Sequence, residues 1–237
     1  MIQGIVQWLL DPASWSGSGG IGARLWEHLL YSGIIMVFAV VIAVPLGLYI
    51  GHTGRASWTV TFANSLRAVP SLGLLFAMTL LVGPLFRSEL AFVVPSIAVL
   101  VLLAIPPVLS GAYAGVASVD PAARDAAQGV GMQPGQVLAR VEVPCALPLL
   151  LSGIRSATLQ VIATATIAAY VGLGGLGRYL IDGLASGDYV RTAGGAVLVA
   201  ALALSIDGIL ALIERRAVSP GLTGKHVGNT GVVATTT

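Results

Sequence analysis

The chain has 237 residues, of which 9% are charged and 56% hydrophobic, and its mean hydropathy is +0.92. Soluble domains carry about 25% charged residues, so a water-soluble globular domain is excluded and lipid is the expected solvent. Twelve Lys and Arg against ten Asp and Glu leave a net charge of +2, too balanced for a nucleic-acid surface, and the single cysteine excludes an internal disulfide, a CxxC redox pair and a cysteine-cluster metal site.

The first ten residues lack Lys or Arg ahead of their apolar run, and no small-residue cleavage pattern follows closely, so no cleaved signal is expected and the chain is taken as mature. Pro12, Gly17, Gly19 and Gly20 predict a loop over 11–22, with Trp8 and Trp15 at a membrane interface. Residues 1–26 are therefore expected outside the cytoplasm, along one bilayer surface. A helix needs about 20 apolar residues to cross a bilayer, and five stretches qualify: 28–50, 60–82, 90–112, 149–171 and 194–213. The fold class expected is an all-α membrane protein whose transmembrane domain covers 27–216.

Basic residues collect in cytoplasmic loops. Placing the N-terminus outside puts eight of them on the cytoplasmic side: Arg55, Arg67, Arg124, Arg140, Arg155, Arg215, Arg216 and Lys225. Only four, Arg24, Arg87, Arg178 and Arg191, then lie outside. The expected orientation is N-terminus out and C-terminus in. Residues 217–237, rich in Gly, Thr and Val without periodicity, are expected to form a disordered cytoplasmic tail.

The longest cytoplasmic segment, about 115–148, is predicted to hold two short helices. Asp120 suits an N-cap and Pro121 the first helical position, where its missing N–H costs nothing. Residues 122–128 make about two turns before Gly129 and Gly131 stop them, and Pro134 starts a second helix that runs through Val141 and ends at Pro144. Such a unit is either a knob presented to a cytosolic partner or a self-packed loop.

At these residues the chain resembles the inner-membrane permease subunits of binding-protein-dependent ABC importers. Those proteins carry Glu-Ala-Ala, three residues, Gly, nine residues, Ile, any residue and Leu-Pro in this loop. Asp125, Ala126, Ala127, Gly131, Val141, Val143 and Pro144 fall on that pattern with the spacing kept throughout, and three of them are conservative departures: Asp125 for Glu, Val141 for Ile and Val143 for Leu. The resemblance implies a type I ABC importer permease fold with a cytoplasmic coupling helix-turn-helix that engages a separate ATPase. Gly131 permits a turn that a side chain would block, and the small Ala126 and Ala127 allow close approach to a partner surface. The strings DPASWSGSGGIGARLWEHL, PLGLYIGHTGR, LRAVPSLGLL, LLAIPPVLSGAYAGV and ATATIAAYVGLGGLGRYLIDGL extend the resemblance over nearly the whole chain. They are similar to the branch that imports osmoprotectants such as glycine betaine, choline or carnitine. The partners so implied are an ATPase dimer that binds ATP and Mg, an extracytoplasmic substrate-binding protein, and a second permease copy or related permease in the same bilayer. No cofactor is expected on this chain, and the location implied is the bacterial cytoplasmic membrane.

Candidate path residues sit in the second and fourth spans. Pro70, beside Asn64, Ser65 and Ser71, is expected to break or kink its helix and open carbonyls to a pathway. Arg67 either faces a water-filled space or snorkels to the headgroups on its long stem. Ser152, Ser156, Gln160 and Thr164 recur at four-residue steps along one helical face, which either lines the route or bonds a neighbouring helix. Tyr170 either offers its ring to a quaternary ammonium or anchors at the interface. Gly172, Gly174, Gly175 and Gly177 break the helix into an outer re-entrant loop or gate, with Arg178, Asp182, Asp188 and Arg191 either docking a partner or simply solvated. Asp207 could suggest a proton relay, but beside Glu214, Arg215 and Arg216 a local pair or an interface position is expected. His28, His52 and His226 have no metal-ligand spacing.

The competing readings are an autonomous secondary transporter or channel for a small polar solute, and a membrane enzyme. The enzyme lacks a nucleophile with a base, a carboxylate pair or a metal set. GLTGKH near the end of the chain has neither the spacing nor the final hydroxyl of a nucleotide-binding loop, so ATP hydrolysis is expected elsewhere.

Overall fold

A computed structural model describes residues 1–218. Its helices in chain order are α1 (Ile2–Leu10), α2 (Pro12–Trp15), α3 (Ile21–Thr53), α4 (Trp58–Ser65), α5 (Ser71–Val82), α6 (Leu90–Ala117), α7 (Pro121–Gly129), α8 (Pro134–Val137), α9 (Val143–Ala168), α10 (Gly177–Ser186) and α11 (Tyr189–Ala217). No strand occurs among the described residues.

The centre is a bundle of α3, α6 and α9, with α6 packed against both of the others. Small residues set this geometry. A Cβ on Gly111 of α6 would lie 2.7 Å from the Leu149 carbonyl, and one on Gly153 of α9 would lie 2.7 Å from the Pro107 carbonyl, so the two backbones touch directly. Around that contact, Ile35, Leu75, Leu100, Leu103 and Leu173 bury together, and Ala43, Val108 and Ala157 form a second cluster. A third, of Ile21, Ile162, Leu176 and Tyr179, ties the start of α3 to α10 and α11. Large apolar side chains point the other way: Val37, Phe38, Val41, Phe62, Leu80, Leu81 and Leu204 are exposed, as a lipid-solvated surface requires.

Four of the five expected spans are single long helices, and the other is broken. The segments Trp58–Ala68 and Ser71–Leu85 meet at 93°. Val69 and Pro70 are both extended there, with ψ of 129° and 113°, because a proline ring disfavours the helical conformation of the residue before it. Span limits also differ from the sequence expectation. The first long helix starts at Ile21 rather than near His28, so the expected 26/27 boundary falls inside α3, and the last runs over Tyr189–Ala217. The expected loop at 11–22 contains α2, whose N-terminus Asp11 caps by accepting from the Ala13 N–H at 3.0 Å.

The largest difference lies at Pro144. It was expected to end a helix, yet helical structure runs unbroken over Pro134–Val171. A π turn over Leu138–Glu142 precedes it. Proline conflicts with the carbonyl four residues earlier in a regular α-helix; the wider π turn changes that spacing just where the ring enters, and the helix continues. Of the tail expected over 217–237, residues 219–237 lie outside the described residues.

Candidate functional site

The loop between α6 and α9 is built as its residue pattern requires. The Asp120 carboxylate accepts from the Ala122 N–H at 2.9 Å, with Pro121 in the first turn of α7. Gly131 closes the helix in a left-handed conformation, φ +86°, where its N–H donates to the Gln128 carbonyl at 2.9 Å. Gln133 and Gln136 then cap α8 reciprocally. Asp125 and Ala126 are exposed while Ala127 is buried, and farther on Val141 and Val143 are half-buried and Pro144 exposed. The seven motif positions thus divide between an outward face and the packing that holds it.

Beneath α7 lies a cluster that the sequence did not single out. Glu142, 1% exposed, accepts from His52 Nδ1 at 2.6 Å through one oxygen, and its other oxygen lies 2.8 Å from Arg124 Nε. The Arg124 Nε hydrogen is not aimed along a hydrogen-bond line, so that contact is an ion pair; its Nη2 donates to the Val116 carbonyl. His52 and Glu142 are 90 residues apart, which hides the pairing from any local pattern.

The path candidates fall at the break between α4 and α5 and on the facing side of α9. Arg67 and Gln160 meet: Arg67 Nη2 donates to Gln160 Oε1 at 3.3 Å, while Gln160 Nε2 donates to the Leu103 carbonyl of α6 at 2.9 Å. Gln160 therefore bonds a neighbouring helix, one of its two expected roles, and also accepts from a charged side chain. Pro70 and Ser71 open α5 at the bend, with no side-chain cap there. Asn64 and Ser110 hydrogen-bond reciprocally at 3.0 and 3.2 Å beside them. On α9, Ser152 and Ser156 are exposed, whereas the Thr164 hydroxyl donates to the carbonyl of Gln160 in its own helix at 2.8 Å. Tyr170, exposed, borders a cavity of about 370 Å³ with Phe76, Phe92 and Arg178, but it is not brought near Arg67 by any contact.

The glycine run after α9 is a packed turn. The Gly175 N–H donates to Glu27 Oε2 at 2.8 Å, and a Cβ there would lie 2.9 Å from His28 Nδ1. The charges beyond it have local partners: Arg178 pairs with Asp182 at 2.8 Å, Asp188 accepts from the Arg191 N–H at 3.0 Å, and the Arg191 guanidinium stands 5.1 Å from the Tyr179 ring centre. Tyr179 is buried and donates to the Gly19 carbonyl at 2.8 Å, and burial pushes its phenol pKa above the ordinary value. Asp207 pairs not with a neighbour on its own helix but across to Arg155 of α9, in a bidentate contact, and Glu214 lies 3.6 Å from the same guanidinium. Among the described residues no group of His, Cys, Asp and Glu could hold a metal ion.

Residues 39–219 match the family described as the inner membrane component of binding-protein-dependent transport systems. This chain belongs to that family. The permease is 35% identical over 210 residues to the glycine betaine/carnitine/choline transport system permease protein OpuCB of Bacillus subtilis (strain 168), covering 88% of this chain and 94% of the relative. It is 32% identical to the choline transport system permease protein OpuBB of the same organism, covering 87% and 93% respectively. Among solved structures, a chain of the MetNI methionine ABC transporter in an inward-facing conformation superposes with a TM-score of 0.71 at 22% identity, covering 82% of the permease and 94% of that chain. The fold is thus that of a type I ABC importer permease, and the permease is a multi-pass inner-membrane protein of a binding-protein-dependent transport system. The family drawn from the loop motif is the one found.

Proposed function

We propose that the permease forms half of the membrane pathway of an ATP-driven importer for a small osmoprotectant, a quaternary amine of the glycine betaine, choline or carnitine type. The supporting observation on substrate is that relatives matched along almost their whole length carry those names. In this reading α7 is the coupling helix: Asp125, Ala126 and Gly131 meet an ATPase subunit, which binds ATP and Mg, while Val141, Val143 and Pro144 pass its movement into α9. The N-terminus lies outside, which places α7 in the cytosol. A second permease, identical or related, completes the path, and an extracytoplasmic binding protein delivers substrate to the opposite end. Arg67, Pro70, Ser71, Ser156, Gln160, Thr164 and Tyr170 line the route, which opens to alternate sides as the two halves swing.

The test is reconstitution into liposomes of the complex co-purified with the tagged permease, with labelled glycine betaine, carnitine and choline presented by the captured binding protein. Uptake that requires ATP and the co-purified ATPase is the expected result. Uptake by the permease alone, driven by an ion gradient, overturns the proposal in favour of an autonomous transporter.

A further inference from the structure

We propose that Glu142 is the positioning residue that makes α7, α3 and α9 move as one when the ATPase engages; the inference rests on the reading of α7 as the coupling helix. The observation is that one buried carboxylate holds three separate elements. Through its two oxygens it takes His52 from the last turn of α3 at 2.6 Å and Arg124 from the middle of α7 at 2.8 Å. Its own backbone belongs to the π turn that leads into α9. Arg124 adds a fourth link by donating to the Val116 carbonyl in the last turns of α6.

The surroundings make this cluster a mechanical joint. Glu142 is shut off from solvent, so a carboxylate there is tolerated only while it keeps its partners. When α7 shifts, the partners must follow it or leave a buried charge unpaired. Just beyond the cluster α3 and α6 are in backbone contact: a Cβ on Gly51 would lie 2.7 Å from Val116 Cβ and 3.1 Å from the Tyr113 carbonyl. A pull on His52 therefore reaches both helices together. On the far side the π turn gives α9 a locus of altered hydrogen bonding, where a helix can change its register of turns without unwinding. Closure of α7 is thereby delivered to all three helices of the central bundle, rather than dissipated in the loop between α6 and α9.

The experiment uses the full complex in liposomes and compares Glu142→Gln and His52→Leu with wild type. Three quantities are read: subunits recovered per permease, ATP hydrolysed with loaded binding protein, and substrate taken up per ATP. Glu142→Gln keeps the size of the side chain but removes the charge that holds Arg124. His52→Leu cuts only the link to α3, at a side chain 23% exposed, and decides the question alone where Glu142→Gln fails to assemble. Assembled complex with uptake per ATP reduced at least tenfold is the expected result. Arg124→Lys, which keeps the positive charge, should recover most of the uptake per ATP that Arg124→Gln loses, which a merely space-filling role would not require. Wild-type uptake per ATP in both principal variants, or loss of assembly in both, overturns the proposal. Failure of the coupling-helix reading itself is separable: Ala126→Trp, at an exposed position, removes α7 from the mechanism if it leaves the ATPase bound and uptake intact, whatever Glu142 does.

Discussion

Gly131 and Gly175 share a left-handed φ, +86° and +90°, one before α9 and the other after it. Their surroundings differ completely. Among the described residues no atom lies within 4 Å of where a Cβ on Gly131 would stand, whereas at Gly175 that position is 2.9 Å from His28 Nδ1 and 3.3 Å from the His28 Cα. The comparison separates two uses of one conformation. Gly175 is glycine because the turn after α9 is pressed onto α3, with its N–H on Glu27. Gly131 is glycine for its left-handed φ alone: among the described residues nothing crowds it, and a side chain there would project into open space.

The most damaging way to test the contrast is Gly175→Val. The left-handed conformation costs a side-chain-bearing residue roughly 1–2 kcal/mol, and forcing extra carbons against a buried, packed helix adds about 1–3 kcal/mol. A total loss of about 2–5 kcal/mol on those figures should abolish the monodisperse permease in detergent, or lower its Tm sharply. A variant that elutes and melts like wild type would show that the turn is not held against α3.

Gly131→Trp should do the reverse. Its cost to the fold is the conformational strain alone, roughly 1–2 kcal/mol, so the permease should purify and melt within a few degrees of wild type. If α7 is the coupling helix, uptake should nevertheless be abolished and ATPase recovery weakened, because the indole would stand where an ATPase docks. Normal uptake in this variant removes Gly131 from the coupling surface; misfolding would place it with Gly175.

Local chemistry was legible in the sequence wherever its cause was local. Asp120 with Pro121 marks the start of α7, Gly131 its end, and Pro70 the bend between α4 and α5. Pro144 misled for a physical reason: the π turn that admits its ring has no residue signature of its own. Glu142 was invisible because its meaning depends on His52 and Arg124, brought to it from two other elements. The glycine run reads as a re-entrant loop or gate, and only the fold reveals that Glu27 and His28 lie against it. At Gln160 a four-residue repeat is compatible with lining the route or with bonding a neighbouring helix; its bonds to the Leu103 carbonyl and to Arg67 depend on residues far away in sequence.

That double role gives the smallest expected change in stability and the finest test. Gln160→Leu removes one hydrogen bond to the Leu103 carbonyl, which leaves a carbonyl rather than a buried charge unmatched, and frees Arg67 from its acceptor. The cost should be about 1 kcal/mol, seen as a modest fall in Tm with the complex still assembled. If this face lines the route, uptake should change several-fold in the assembled complex, because a leucine replaces the amide that holds the guanidinium in place. If uptake is unchanged while assembly fails, the face packs and the route lies elsewhere. Arg67→Gln then sharpens the outcome: should it reproduce the uptake defect of Gln160→Leu, and the double variant add nothing to either, the two side chains act as one unit. Additive losses would instead mean that Gln160 acts through α6 and Arg67 independently, so that the weak 3.3 Å contact between them is incidental to transport.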